Sequence, residues 1–230
     1  MPPERFQPDL LAGADEPVRR WFAHAIREGA PLDARVEVGM RGRIKAGAWL
    51  PFTATETVDA RSFEWRARAG PLRVVDRYAD GSGATEGRLF GRLRVFRADD
   101  ENTARSAAGR TALEAVVFAP QCVLPGRGVE WRAEEADLIV ARFDLPPERP
   151  EVRIRIDERG AARAVSAERW GDAGGKRFAY IPCGCEVRAE RRFGDLVLPS
   201  EIEVGWRFGT PRYEPFFRAT VTSVGGRRDE

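Results

Sequence analysis

Residues 36–44 read VEVGMRGRI, and residues 63–67 read FEWRA. In both stretches apolar side chains or glycines occupy every second position, and most positions between them are charged. Successive side chains of a β-strand point to opposite faces, so this period of two predicts strands with one buried face and one face in water. The period of two, not the helical period, dominates the chain and decides its fold class.

Two helices are predicted to interrupt the strands. Residues 15–28 place Val18, Trp21 and Phe22 at three- and four-residue spacing, which is typical of an amphipathic helix. Residues 105–118 are rich in alanine, show no alternation and are closed by Pro120. Eight further segments continue the strand pattern, with a hairpin turn at 79–83: 72–78, 88–96, 137–145, 152–156, 161–170, 178–188, 197–208 and 216–224.

The order of these segments predicts a mainly β (α+β) protein that forms a single domain over residues 1–230. About ten antiparallel strands are expected to build one curved sheet or a half-open β-barrel over about 34–224. Curving towards closure protects the edges of so many strands. The N-terminal helix and the inserted helix are then expected to cover the concave side.

Composition excludes several classes of protein. The chain has 230 residues, of which 43% are hydrophobic and 32% charged, and its net charge is +2, which is typical of a folded protein. No apolar run approaches the ~20 residues that span a bilayer, so no integral membrane segment is expected. Residues 1–17 carry acids and prolines instead of the basic and apolar regions of a secretory signal, which favours a cytoplasmic protein.

The charge pattern argues against nucleic-acid binding. Of the 38 basic residues only Lys45 and Lys176 are lysines, and the arginines alternate with acids, as in residues 130–135. Nucleic-acid binders usually collect positive charge in a patch or stripe. A mixed, solvated surface is therefore the favoured interpretation.

The usual cofactor and metal motifs are missing from the sequence. Neither lysine lies in a Gly-Lys-Ser/Thr loop, and no Gly-x-Ser-x-Gly stretch occurs. The three cysteines, Cys122, Cys183 and Cys185, and the single histidine, His24, do not have the spacing of a zinc site. Reduced structural thiols are favoured, and neither a cofactor nor a metal is expected.

The order of several short motifs resembles a poorly characterised bacterial family of domains of unknown function. The motifs that carry the likeness over most of residues 16–222 are MRGRI at 40–44, WLPFTA at 49–54, SFEW at 62–65, Asp76-x-Tyr78-x-DGSG at 76–83, Glu114 with Phe118-x-Pro120, Leu124-Pro125, Trp131, Ile181-Pro182 and the strand 201–206. The resemblance implies an architecture similar to the half-open barrels of lipoprotein carriers (LolA-like), whose apolar concavity holds an acyl chain. The chain departs from those carriers because it shows no export signal.

Asp76 and Tyr78 are the first candidate site residues. Both share a strand face with the apolar Leu72 and Val74. A carboxylate on such a face must be paired, protonated or in contact with a wet cavity. An arginine–carboxylate bridge is the simpler interpretation of Asp76. A general acid/base or polar anchor at a ligand cavity is the alternative, with Tyr78 as a donor beside it.

Glu114 is the third candidate, on the inserted helix four residues after Arg110. An ion pair on an exposed helix face is favoured, and Glu114 would face the ligand if the helix lined the cavity. Aromatic side chains are expected to line that cavity, and the candidates are Trp49, Phe52, Phe63, Trp65 and Trp131.

Two functions remain open. The favoured one is a binding protein whose partner is a hydrophobic small molecule, lipid-like or polyketide-like, held in the apolar cavity. The alternative is a cofactor-independent cyclase or isomerase in which Asp76, Tyr78 or Glu114 moves a proton. A structural protein with a filled interior is a third possibility, and the sequence does not define the oligomeric state.

Overall fold

A computed structural model describes residues 4–32, 35–175 and 177–226, so the predicted start of the barrel at residue 34, and Lys176, lie outside the described residues. Two α-helices are present in the described residues, α1 (Glu16–Ala25) and α2 (Glu101–Phe118). Short 3₁₀ turns precede α1 at Pro8–Leu11 and follow α2 at Pro120–Cys122.

Thirteen strands in the described part of the chain form one antiparallel sheet. Their bounds are β1 (Val36–Ala46), β2 (Ala48–Val58), β3 (Phe63–Ala69), β4 (Leu72–Ala79), β5 (Ser82–Leu89), β6 (Leu93–Ala98), β7 (Val129–Glu135), β8 (Leu138–Phe143), β9 (Glu151–Ile156), β10 (Ala162–Gly171), β11 (Ala179–Phe193), β12 (Leu196–Trp206) and β13 (Glu214–Gly226).

The strand order explains the position of the second helix. The chain runs from β1 outwards to the edge strand β6, passes through α2 to the opposite edge strand β7, and returns strand by strand to β13, which pairs with β1. The sheet is curved and is not closed between β6 and β7. Helix α2 therefore joins the two edges across the concave face, and the prediction of a mainly β, half-open architecture with a covering helix is confirmed.

The predicted number of about ten strands is too low. Strands β2 and β7 were not predicted, and the expected strand 88–96 is broken into β5 and β6. The break occurs where Phe90 and Gly91 adopt φ values of 52° and 72°, a left-handed conformation that a glycine accommodates in a tight turn. Strand β2 was missed because Glu56 stands among its buried side chains and disguises the alternation.

Both helices differ from their predicted bounds for identifiable reasons. Helix α1 ends at Ala25 instead of 28 because Ile26 is extended and forms a β-bridge with Leu196. Helix α2 begins at Glu101 instead of 105 because the Asp100 carboxylate accepts a hydrogen bond of 2.8 Å from the backbone N–H of Thr103. This is the usual N-cap arrangement of an α-helix.

Small residues let α2 approach the sheet closely. A Cβ atom added to Gly83 on β5 would lie 2.7 Å from the Cα atom of Ala104 and 2.9 Å from the Cβ atom of Ala107. Most of α2 is buried, including Ala108, Ala112 and Ala115. The hydrophobic core therefore lies between the concave face of the sheet and its covering helices.

Candidate functional site

A cavity of about 310 Å³ lies between α2 and the concave face of the sheet. This volume is at the lower end of the ~300–1,000 Å³ that is usual for small-molecule sites. Aliphatic and aromatic side chains make up most of its wall, namely Met40, Ile44, Trp65, Val74, Leu113, Val117, Phe118, Val165, Ile202, Val204, Phe216 and Phe217.

One part of the cavity wall is polar, and the strand register produces it. Glu56 on β2 is opposite Trp65 on β3, Trp65 is opposite Asp76 on β4, and Asp76 is opposite Thr85 on β5. Paired residues of neighbouring strands share a face, so these four side chains form one row across the sheet. All four line the cavity.

Helix α2 supplies the other half of the polar wall. Arg110 Nη1 lies 2.5 Å from Asp76 Oδ2, and Arg110 Nε lies 2.6 Å from Glu114 Oε1. The remaining terminal nitrogen of Arg110, Nη2, is 3.9 Å from Glu56 Oε1. One guanidinium group therefore holds three carboxyl groups, which we name the Arg110 cluster (Glu56, Asp76, Arg110 and Glu114).

The cluster has more carboxyl groups than one arginine can neutralise, and this excess favours the protonated form of Glu56. The Glu56 side chain is only 1% exposed, and burial, reinforced by the negative charge of Glu114, raises the pKa of Glu56 well above its ordinary value of 4.5. The carboxyl groups of Glu56 and Glu114 also hydrogen-bond each other. Glu56 Oε1 and Glu114 Oε2 have no other hydrogen-bond partner in the described residues, and a protonated Glu56 can donate to the neighbouring carboxyl group of Glu114.

Arg110 stays charged in this environment. Burial lowers the pKa of Arg110, but the carboxylates of Glu114, Asp76 and Glu56 outweigh it and raise the pKa above its ordinary value. The guanidinium carbon also lies 4.5 Å from the ring centre of Phe63 and 5.2 Å from that of Trp65, within the range of cation–π attraction.

The indole N–H group of Trp65 is an unpaired hydrogen-bond donor in the cavity wall. Its side chain is buried, and its indole Nε1 has no hydrogen-bond partner in the part of the chain that the structure describes. A buried N–H group without an acceptor costs about 1–3 kcal/mol. The polar wall therefore combines a buried pair of carboxyl groups, the guanidinium of Arg110 and an unpaired donor.

Two cysteines and a second arginine complete the wall. Burial raises the pKa of the Cys183 thiol and raises that of the Cys185 thiol to about 12, so both are neutral at physiological pH. Arg169 on β10 donates from Nε to the backbone oxygen of Ser106 at 3.0 Å. Within the described residues, no group of three or more His, Cys, Asp or Glu side chains is arranged to hold a metal ion.

The structure brings three of the predicted site residues together and separates a fourth from them. Asp76, Trp65 and Glu114 all line the cavity. The expectation that Glu114 forms an ion pair with Arg110 is confirmed. The expectation that this pair lies on an exposed helix face is wrong, because α2 covers the concave face and Glu114 lines the cavity. Tyr78 is buried away from the cavity, and its hydroxyl donates to the backbone oxygen of Pro146 at 2.5 Å.

The predicted aromatic lining needs correction. Trp49 has the opposite parity to Phe52 and lies outside the cavity, where the guanidinium of Arg218 sits 4.7 Å from its ring. Trp131 packs against α1, with its ring centre 5.0 Å from that of Trp21. Phe52 and Phe63 are buried in the core behind the wall. Trp65 alone of the five predicted aromatic residues is in the wall, which is otherwise mainly aliphatic.

Sequence reasoning missed Glu56, Arg169 and the central role of Arg110. Glu56 could have been found from the sequence, because it lies on the same strand face as Phe52, Ala54 and Val58 of β2. The same parity argument identified Asp76. The role of Arg110 could not be found this way, since only the crossing of α2 over the sheet brings Glu56 and Asp76 to it, in addition to Glu114 on the same helix.

Residues 4–219 match a family of unknown function, DUF6544. The chain belongs to this family. No curated protein sequence matches this DUF6544 member. Its helices within the described residues are all too short or too polar to cross a membrane.

Solved structures resemble the fold of this DUF6544 protein at very low sequence identity. A LolA superfamily protein from Nitrosomonas europaea is 8% identical, with a TM-score of 0.51 and 94% of both chains covered. A domain from Vibrio parahaemolyticus named for outer membrane lipoprotein sorting is 7% identical, with a TM-score of 0.46 and coverage of 84% and 85%. A DUF1329 family protein from Desulfovibrio piger is 8% identical, with a TM-score of 0.41 and the same coverage. The first of these supports a LolA-like fold.

Proposed function

We propose that this DUF6544 protein binds a hydrophobic small molecule, lipid-like or polyketide-like, in the cavity beneath α2. The observation that carries the proposal is the composition of the wall: a space of about 310 Å³ whose lining is mostly aliphatic and aromatic, with a few polar groups on one side. Ligand sites in proteins combine these two features, because apolar area supplies affinity and a few placed polar groups supply orientation.

The position of the cavity adds support. It lies at the concave face of an unclosed sheet, where the covering segment is one helix that joins the two edge strands. A solidly packed interior, as in a purely structural protein, would place side chains in this space. The likeness to a LolA superfamily protein extends to the fold alone, and the composition of the cavity wall is what points to a ligand.

Binding of an uncharged apolar dye tests this function. N-phenyl-1-naphthylamine fluoresces strongly only in an apolar environment, so it should bind the wild-type protein with a saturable increase in fluorescence. Ile44 is a half-buried wall residue, and Ile44→Trp places a larger side chain in the cavity. We expect this variant to bind the dye at least tenfold more weakly.

The neighbouring residue provides a matched control. Lys45 is exposed on the opposite face of β1, so Lys45→Trp adds the same ring outside the cavity and should leave dye binding within twofold of the wild type. Absence of saturable binding by the wild type, or equal binding by the two variants, would contradict the proposed function.

A cofactor-independent cyclase or isomerase is a second candidate, and the paired carboxyl groups favour it. A carboxyl group with a raised pKa holds its proton to a higher pH and can act as a general acid, and strongly perturbed groups in a cleft are candidates for catalysis. Glu56, with its raised pKa and its hydrogen bond to Glu114, meets this description. In this alternative the apolar wall folds a flexible substrate and the Arg110 cluster moves the proton.

Glu56→Gln separates the two candidates once a substrate is in hand. Gln has the shape of protonated Glu and can still donate to Glu114, but it cannot release a proton. An enzyme should lose turnover by at least a hundredfold while binding the substrate within about threefold of the wild type. A binding protein should show no turnover before or after the substitution.

A further inference from the structure

The two arginines of the cavity wall differ in how their charge is balanced. Arg110 is surrounded by three carboxyl groups. Arg169 forms no ion pair with a carboxylate among the residues that the structure describes, although it lines the same cavity. The inference drawn from this contrast rests on the proposed ligand-binding function and refines it.

We propose that the cavity takes an amphiphile with an acidic group, a carboxylate joined to an apolar body, and that Arg169 pairs with this carboxylate. The contacts of Arg169 leave room for such a partner. Its Nε donates to the backbone oxygen of Ser106 at 3.0 Å, and Nη2 donates to Ser106 Oγ at 3.2 Å. A guanidinium group has five N–H donors in a fork that matches a carboxylate, and both Ser106 atoms are uncharged.

The other neighbours of Arg169 supply no negative charge. Its guanidinium carbon lies 5.3 Å from the ring centre of Trp206, and its side chain contacts the Cys183 thiol, whose pKa burial raises. The adjacent Glu168 is exposed on the opposite face of β10. A charge held against an apolar wall without a counter-charge is costly, and a ligand carboxylate would remove that cost.

The Arg110 cluster cannot serve the same purpose. Its guanidinium already donates to Asp76 and Glu114, and its three carboxyl groups outnumber its one guanidinium. It would repel a second anion placed beside it. The apolar body of the ligand is therefore expected to lie along the aliphatic wall, with the acidic end at Arg169.

Three probes with the same ten-carbon chain test the proposal: decanoate, 1-decanol and decylamine. Each is titrated against the dye-loaded full-length protein at pH 7.5, where decanoate is ionised. We expect decanoate to bind at least tenfold more tightly than 1-decanol. A preference for decylamine, or equal binding of decanoate and 1-decanol, would overturn the proposal.

Arg169→Gln assigns the preference to its residue. The variant should weaken decanoate binding at least tenfold and leave 1-decanol within twofold, which also shows that the cavity is intact. Arg169→Lys should keep part of the preference, and Arg155→Gln, an exposed arginine on the neighbouring strand β9, should keep all of it. An equal loss for both probes would mean a structural role only and would overturn the proposal.

Failure of the proposed function and failure of the role of Arg169 give different results. If neither the dye nor any ten-carbon probe binds, the proposed function fails. If the dye and 1-decanol bind but decanoate shows no advantage, the proposed function stands and the role of Arg169 is wrong.

Discussion

A single arginine controls the polar side of the cavity. Arg110 contacts Asp76, Glu114 and Glu56 from one helical turn of α2, and its side chain is only 16% exposed. Replacing a buried pair with apolar residues can be harmless, but removing one partner leaves charges without compensation. The cluster should therefore depend on Arg110 more than on any one of its acids.

Arg110→Met tests this dependence. We expect the variant to lose about 3–5 kcal/mol of unfolding free energy in urea at pH 7.5, since it leaves buried carboxylates unpaired. Arg155→Met is the control, because Arg155 is paired with Glu135 and Asp137 at the surface and should cost less than about 1 kcal/mol. Equal losses of unfolding free energy in the two variants would contradict this expectation, because the Arg110 cluster would then contribute no more to stability than an exposed ion pair does.

Glu56 should make stability depend on pH with a definite sign. Because its pKa is raised in the folded state, folded Glu56 binds its proton more tightly than the unfolded chain does. Its contribution to stability is complete below the ordinary pKa of 4.5 and is lost as the pH rises from there towards the folded pKa.

Glu56→Gln should remove this loss. At pH 8 the variant should be more stable than the wild type by about 1 kcal/mol or more, and the difference should shrink at pH 5. Urea unfolding at both values measures it, with the exposed Glu201→Gln as control. A wild type that gains stability relative to the variant as the pH rises would contradict the protonation of Glu56.

The alternation of side chains along single strands was enough to predict part of this site, but not the whole of it. It placed Asp76 among apolar neighbours, and the same rule places Glu56, because both follow from the alternation of a single strand. It could not show that α2 would bring Arg110 between them, since that contact depends on the crossing of a helix over three strands. Tyr78 shows that a shared strand face does not guarantee a place in the cavity wall. It lies on the same face as Asp76, but beyond the cavity and against Pro146.

At the scale of elements, the position of α2 depends on its contact with β5. Gly83 is a point of close approach, because a Cβ atom there would lie 2.7 Å from the Cα atom of Ala104 and 2.8 Å from the backbone oxygen of Thr103. Both neighbours are backbone atoms, which cannot move aside without shifting the helix. The helix in turn carries Arg110 and Glu114.

Gly83→Ala should therefore displace α2 and destabilise the protein. We expect a loss of about 1–3 kcal/mol in urea unfolding, together with weaker dye binding. Gly225→Ala is a matched control on β13, because nothing lies within 4 Å of its added Cβ atom, and it should change stability by no more than about 0.5 kcal/mol. A Gly83 variant as stable as the control would contradict the close packing of α2 on β5.

The elements were largely predictable, with failures at specific places. Alternation identified most strands because one face of each is buried and the other is wet. Two of the failures fall at residues with a site or turn role: Glu56 broke the apolar pattern of β2, and the turn at Phe90–Gly91 divided one predicted strand into two.

For the whole molecule, the central feature is an unclosed sheet whose two edges are joined by a helix above an apolar cavity. The general shape followed from the number of strands, because a large antiparallel sheet must curve to protect its edges. The residues that line the cavity could not be predicted from the number of strands, because they depend on strand register and on the path of α2. Trp49 and Trp131 were expected in that wall, but parity and the packing of α1 place them elsewhere.

A crystal structure of the protein grown with 10-bromo-1-decanol tests whether the cavity beneath α2 binds an apolar molecule. We expect an anomalous bromine peak between α2 and the concave face, within the space bounded by Ile44, Val117 and Val165. An empty cavity at saturating ligand, or a peak only on the convex face, would contradict this expectation.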